Sequence, residues 1–308
     1  MTTTSPVQPT TATVSPRKLK AQLRAADAKT KLSSPWASGL AIVIALLWTI
    51  PTFGLLINST RTDPAPTTSG WWHFWRSDSA FTMHNFSAAW TGNGSTPMYQ
   101  FILNSVVITL PAVVIPVSLA LLAAYAFAWI DFKGKNILFV AIFAMQVVPI
   151  QVALIPLNTV YVNLGLNQSF WSIWLSHTVF GLPLAIFLLH NFMKEIPGSL
   201  IEAARVDGAG HVKIFFNVLM PLLVPAIASF GIFQFLWVWN DLLVALTFSG
   251  DNTSPITKGI QGLTTQFGQQ GNILPAAAIL AMLIPLAVFL SLQRFFVRGL
   301  LAGSVKSA

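Results

Sequence analysis

Polar and charged residues are bunched along this chain, and long apolar stretches lie between the bunches. Six are separable: about Trp36–Asn58, Tyr99–Ile130, Ile137–Val160, Phe170–Asn191, Leu219–Phe248 and Ile273–Phe296. Each is near or above the roughly 20 residues that a helix needs to cross the hydrocarbon of a bilayer. The pattern predicts an all-α membrane protein with six transmembrane helices. The second and fifth stretches are long enough to tilt, kink or extend beyond the membrane. Prolines fall inside most of the stretches: Pro51, Pro111, Pro116, Pro149, Pro156, Pro183, Pro221, Pro225 and Pro285. In water they would break helices. In a membrane bundle the freed carbonyls find partners on neighbouring helices, so the prolines predict kinks.

Composition agrees. Of 308 residues, 54% are hydrophobic and only 8% charged, where a soluble domain carries about 25% charge. That is too little charge to coat a soluble surface, so the bilayer is the solvent for most of the chain. Cysteine is absent, which excludes disulfides, thiolate metal sites and a cysteine nucleophile. The net charge of +8 raises nucleic acid as a partner, but its distribution points to topology instead. Fourteen basic residues fall on one side of the predicted membrane: Arg17, Lys18, Lys20, Arg24, Lys29, Lys31, Lys133, Lys135, Lys194, Arg205, Lys213, Arg294, Arg298 and Lys306. The other side has three, Arg61, Arg76 and Lys258. By the positive-inside rule both termini are predicted to be cytoplasmic, and no nucleic acid is expected.

The expected organisation follows. Residues 1–35 form a cytoplasmic N-terminal tail and 36–58 the first transmembrane helix. Residues 59–98 are an external segment. A core of five further helices covers 99–296, with a cytoplasmic loop at 195–213 and an external loop at 249–272. Residues 297–308 form a cytoplasmic C-terminal tail. The first apolar run reads as a retained anchor rather than a signal peptide, because its basic flank is long and no small-residue cleavage pattern follows Pro51. Two readings stand for Pro16–Lys31: a helix on anionic lipid headgroups, or a solvated tail that fixes topology. Two also stand for Trp71, Trp72, Phe74 and Trp75: an aromatic belt at the outer interface, or a docking surface.

No catalytic pattern is present. There is no glycine-rich lysine loop for phosphate, no His-Glu-x-x-His and no paired carboxylates at a useful spacing. The histidines, His73, His84, His177, His190 and His211, are scattered and predict no metal set. His177 and His190 are expected to pack or to hydrogen-bond between helices. The chain is therefore not expected to be an enzyme, nor to bind or hydrolyse ATP itself.

The segment Glu195-Ile196-Pro197-Gly198-Ser199-Leu200-Ile201-Glu202-Ala203-Ala204-Arg205-Val206-Asp207-Gly208-Ala209-Gly210 stands apart. Pro197 and Ser199 suit a helix start, and Gly208 and Gly210 its end. Leu200, Ile201 and Ala204 are expected on one apolar face, with Glu202, Arg205 and Asp207 elsewhere. The small Ala203–Ala204 pair lets another surface approach closely. Alone, the pattern is equally that of a surface helix joining two spans.

Glu202-Ala203-Ala204, Gly208 and Pro221 at these spacings resemble the "EAA" loop of ABC importer permeases. Val218 and Met220 stand where that family commonly has Ile and Leu. The resemblance extends over about residues 36–306. It includes Asn104-Ser105, Ala124-Tyr125-Ala126, Phe132-Lys133-Gly134-Lys135, Trp239-Asn240 and Gln293-Arg294-Phe295-Phe296-Val297-Arg298-Gly299. These look like the maltose-type carbohydrate-uptake branch, in its six-span form without a large external insertion. Phe180–Ile186 and Phe235–Leu243 look most like α-glucoside permeases.

The resemblance implies a permease subunit moving a carbohydrate into the cell, in the cell membrane. Glu202, Ala203, Ala204, Asp207, Gly208 and Pro221 would couple it to a separate ATP-binding subunit, present as a dimer that holds ATP and Mg. A second related permease subunit, expected as a heterodimer partner, would complete the pore. An extracellular or periplasmic solute-binding protein would deliver the sugar, meeting Asp251, Asn252, Thr253, Ser254 and Gln261 of the third external loop. Ser304 and Lys306 are further candidates for contact with the ATPase.

Within the fifth stretch, Asp241 costs roughly 2.5–3.5 kcal/mol if placed at mid-membrane. One reading sets it on the sugar path with Gln234, Trp237, Trp239 and Asn240, since hydroxyls pair with such side chains and sugar faces stack on indoles. The other makes Asp241 a cap or brace for neighbouring helices. The rival function is an ion-coupled secondary transporter, which predicts deep coupling carboxylates and repeated halves. Asp241 is the only deep acidic residue, and no repeat is evident. A membrane hydrolase lacks its catalytic set.

Overall fold

The computed structural model describes residues 35–62, 70–74, 81–92, 96–266 and 273–304, the side chains of 265–266 and 294–304 excepted. The Pro16–Lys31 segment, Trp75 and Lys306 lie outside the described residues, as does the side chain of Ser304. The chain divides into two units, residues 1–54 and 55–308. The described part of the first is the beginning of α1 (Pro35–Ser59), apolar throughout and carrying Pro51.

The second unit is helical, with one isolated bridge between Arg61 and Phe81 among the described residues. A short 3-10 turn at Trp71–His73 precedes α2 (His84–Thr91). Then come α3 (Met98–Trp129), α4 (Lys135–Ala144), α5 (Ile150–Asn163), α6 (Phe170–Lys194) and α7 (Gly198–Val206). After α7, one helical run, α8 (His211–Trp239), contains a π-helical turn at Ile214–Leu219. It is followed by α9 (Leu243–Phe248), α10 (Ile256–Gln266) and α11 (Ile273–Ser304).

The centre is the pair α3 and α6, which lie against each other over much of their length. Ala112, Ala120, Ala124 and Ala185 at 0% exposure let the backbones approach. Hydrocarbon gives no hydrophobic drive between helices, so close van der Waals packing of small residues does the work. Helix α8 crosses this pair, and α11 packs on α8.

Five helices are long and apolar enough to span a membrane, and a bent pair makes a sixth candidate. That pair covers the third apolar stretch, Ile137–Val160, where the prolines predict a kink. Helix α4 and its 3-10 extension to Val147 meet α5 at 102°. Val148 is extended, with ψ 120°, and Pro149 begins α5 as its N-cap. The proline ring disfavours helical geometry at the residue before it and removes an N–H, so the chain turns there. Pro111 and Pro116, by contrast, are accommodated inside the continuous α3.

The fifth stretch differs from its expected limits. It starts earlier, at His211, and stops at Trp239, so Asn240 and Asp241 lie in a break before α9. The expected loop at 249–272 holds α10, whose first residue Ile256 is 1% exposed.

Candidate functional site

Two places gather the residues singled out by the sequence. The first is the elbow from α6 through α7 into α8. Pro197 precedes α7 as its N-cap, and Asp207 is its C-cap. Gly208 follows at φ +76°. Its N–H donates to the Arg205 carbonyl at 3.0 Å, and the Ala209 N–H donates to the Ala204 carbonyl at 2.9 Å. This crossed pair is a Schellman ending, which satisfies the last carbonyls and requires a left-handed residue. A Cβ on Gly208 would meet nothing within 4 Å, so glycine stands there for its backbone freedom rather than for space.

Ile201 is 2% exposed and anchors α7 in a core with Tyr125, Leu189, Met193, Ile214, Phe215 and Leu219. Ala204 and Ala209 pack against the same core. Leu200, expected on that apolar face, is exposed instead, because a nine-residue helix resting on one buried side chain covers only part of its stripe. Glu202, Ala203, Arg205, Asp207 and Gly208 are also exposed, and Val206 is 87% exposed. The elbow thus offers small and apolar groups outward, with a charge on either side.

Beyond Gly210 the chain re-enters a helix at His211. The Tyr125 hydroxyl, on α3, lies 2.7 Å from His211 Nδ1. The Tyr125 ring meets Phe215 edge-on at 5.5 Å. The π turn then widens the helix, and the Met220 N–H still reaches the Phe215 carbonyl. Pro221, next in line and exposed, has no N–H to continue that wide pattern, so the turn ends.

The second place is the opposite end of the bundle. Asn104 Nδ2 donates to the carbonyls of Asn252 and Ser254 at 3.1 and 3.0 Å. Ser105 Oγ, 2% exposed, accepts the Ile256 N–H at 2.8 Å and so caps α10 from a different helix. Thr253 Oγ1 accepts the Gly250 N–H and donates to the Gln168 carbonyl at 3.1 Å. Lys258 Nζ donates to the Ser249 carbonyl and hydroxyl. Of the residues expected to face a binding protein, Asp251 and Asn252 are exposed and Gln261 is half-buried, while Thr253 and Ser254 are buried and turned inward.

Asp241 belongs to this end. Its Oδ2 accepts the Val244 N–H at 2.9 Å and the Ala245 N–H at 3.3 Å, which caps α9. Its carbonyl accepts the Thr257 hydroxyl at 2.6 Å. The bracing geometry read from the sequence is therefore present at Asp241. The other residues of the expected sugar path do not converge. Gln234, 1% exposed, donates to the Ala112 carbonyl at 3.2 Å. Gly181 faces it so closely that a Cβ would come 2.8 Å from Nε2. Trp237 meets the buried His177 edge-on at 5.2 Å, within the α3–α6 side of the core. Trp239 points to α11, donating to the Ala281 carbonyl at 3.3 Å. Asn240 is exposed and bonds back to Leu236.

The Tyr125–His211 bond and the fastening by Asn104, Ser105 and Gln168 are not among the contacts expected from the sequence. An aromatic hydroxyl at a span end and an exposed histidine 86 residues later carry no local signal of each other. Among the described residues no three His, Asp or Glu side chains come together as a metal set.

Residues 116–301 match the family of binding-protein-dependent transport system inner membrane components. The osmoprotective compounds uptake permease protein GgtD of Synechocystis is 48% identical over 271 residues, 86% of this chain and 90% of that protein. The alpha-glucoside transport system permease protein AglG of Rhizobium meliloti is 45% identical over 233 residues, 73% of this chain and 60% of that one. A crystal structure of a bacterial ABC transporter involved in the import of the acidic polysaccharide alginate superposes with a TM-score of 0.69. It is 19% identical and covers 87% of this chain and 98% of that chain. At that identity the likeness shows the fold.

Proposed function

The chain belongs to the inner-membrane components of binding-protein-dependent transport systems, and we propose that it is one permease subunit of an ATP-driven carbohydrate importer. The observation that carries this reading is the elbow. Helix α7 has the small pair Ala203–Ala204, one buried anchor and an outward face without a partner in the described residues. Such a helix suits the cleft of a separate ATP-binding subunit, where small side chains permit close packing. ATP and Mg would then sit on a dimer of that subunit. The Schellman ending fixes the angle between α7 and α8, so closure of the cleft would tilt the spans and drive alternating access.

Orientation follows the charge. Lys133, Lys135, Lys194, Arg205 and Lys213 flank the elbow end, and Lys258 lies at the other. We infer that the elbow is cytoplasmic with both termini, and that the exposed Asp251 and Asn252 meet a solute-binding protein outside. The exposed apolar groups of α4 and α5, among them Ile137, Val147 and Ile155, suit lipid and a second related permease subunit. The relatives named for α-glucoside and osmoprotective compounds favour a neutral α-glucoside or a similar small carbohydrate as cargo. An ion-coupled mechanism has less support, because the Asp241 carboxylate is engaged in capping at a helix break.

The test is Ala203→Asp. The residue is exposed in the chain alone, so folding and membrane insertion should be kept. In the complex the added carboxylate would be desolvated without a partner, a penalty of several kcal/mol and on the order of a hundredfold in association. ATP-driven uptake and co-purification with the ATP-binding subunit should both be lost. Full uptake by this variant at normal abundance would overturn the assignment.

A further inference from the structure

Helix α7 is joined by backbone to α6 and α8 but not to α3, whose own chain continues through α4 and α5 before reaching α6. Force on α7 therefore reaches α6 and α8 directly, and α3 only across side chains. At the elbow most of those contacts are apolar, and packed apolar surfaces slide in small shear steps. Between α3 and α6 the His190 ring bonds the Phe127 backbone; between α3 and α8 the directional contact is the Tyr125 hydroxyl on His211 Nδ1 at 2.7 Å. Tyr125 is 7% exposed and its ring is held edge-on by Phe215 at 5.5 Å. His211 is the first residue of α8, exposed, and separated from α7 by only four residues. Which group donates depends on the imidazole tautomer, and the phenol can pair with either.

We propose that the Tyr125–His211 hydrogen bond locks the cytoplasmic end of α3 to the first turn of α8, so that α3 follows the elbow when the ATP-binding subunits close. Tyr125 and His211 are then positioning residues for coupling. This rests on the reading of α7 as the contact with the ATP-binding subunit. Tyr125→Phe keeps the ring and its contact with Phe215 and removes only the hydroxyl. His211→Gln keeps an acceptor and a donor near the hydroxyl, and His211→Ala removes both from an exposed site.

The experiment uses the assembled complex in lipid nanodiscs with Mg-ATP as the probe. ATP hydrolysis is measured with and without the binding protein, and the stimulation ratio is compared between variants. Tyr125→Phe and His211→Ala should each lower the ratio about three- to tenfold, the scale of one hydrogen bond. His211→Gln should stay near the wild-type ratio. If Tyr125→Phe reduces abundance, His211→Ala reads the same bond. An unchanged ratio in both, or an equal fall in His211→Gln, overturns the proposal. Retained stimulation in Ala203→Asp would instead overturn the reading of α7, so the two failures are distinct.

Discussion

The two ends of the bundle are built on different principles. At the end carrying Gly250–Gln266, hydrogen bonds from Asn104, Ser105, Thr253, Thr257 and Lys258 stitch separate elements together. Each pins a backbone group in place, and the one at Ser105 is buried. At the elbow, α7 rests on Ile201, its own Schellman ending and the Tyr125–His211 contact nearby. A stitched end resists displacement because a shift breaks several hydrogen bonds at once. A mainly packed end with few directional contacts can move as a lever. On the proposed reading, the lever lies where force is applied and the stitched end where shape is held.

The largest expected effect concerns which side each end occupies. The chain has no cysteine, so single replacements report cleanly. Cysteine at the exposed Asn252 should react fully with an impermeant thiol reagent in intact cells, and at the exposed Ser199 only after permeabilisation. Reversed labelling would overturn the proposed cytoplasmic placement of the elbow.

The rigidity of the stitched end can be probed next. A Cβ at Gly259 would come 2.7 Å from the Phe101 ring. Gly259→Val should therefore destabilise by about 1–3 kcal/mol through overpacking, read as a lowered unfolding midpoint of the purified protein. Gly262→Val, where a Cβ meets nothing within 4 Å, should cost less. Equal effects would mean that α10 is not tightly seated.

The elbow should respond more mildly in stability and more strongly in coupling. Gly208→Ala forces a side chain into φ +76°, at about 1 kcal/mol. Gly208→Asn should cost less, since asparagine tolerates that region. Uptake should track the loss of the Schellman ending rather than abundance. The smallest effect is expected at Asp241. Asp241→Asn keeps an oxygen for the Val244 N–H, and should change stability by under about 0.5 kcal/mol. A several-fold change in sugar uptake at normal abundance would place Asp241 on the transport path and contradict a capping role alone.

Part of this architecture is legible in the residues themselves. Glu202-Ala203-Ala204 and Gly208 mark a short helix with a glycine ending, and the structure has α7 at Gly198–Val206 with Gly208 left-handed. The alternatives for Asp241 are legible too, because a carboxylate ahead of Val244 and Ala245 is in reach of a helix start. Ser254 illustrates the limit. Expected to meet a binding protein, Ser254 is 4% exposed, and Asn104, 150 residues away, holds its carbonyl. The break at Val148–Pro149 shows another limit: prolines look alike in sequence, but α3 absorbs Pro111 and Pro116 while the third stretch folds back by 102°.

Hydropathy and charge alone determined a many-spanning helical membrane chain, because solvent preference is a property of each residue and needs no partners. Local backbone chemistry determined the elbow, because a glycine ending is decided within a few neighbouring residues. Which face of α8 is buried was decided only by tertiary structure. Gln234 turns to Ala112 and Gly181, and Trp239 to Ala281. A span that is apolar on nearly every side has no amphipathic stripe to fix its rotation, so neighbouring backbones set it through the few polar groups they leave open.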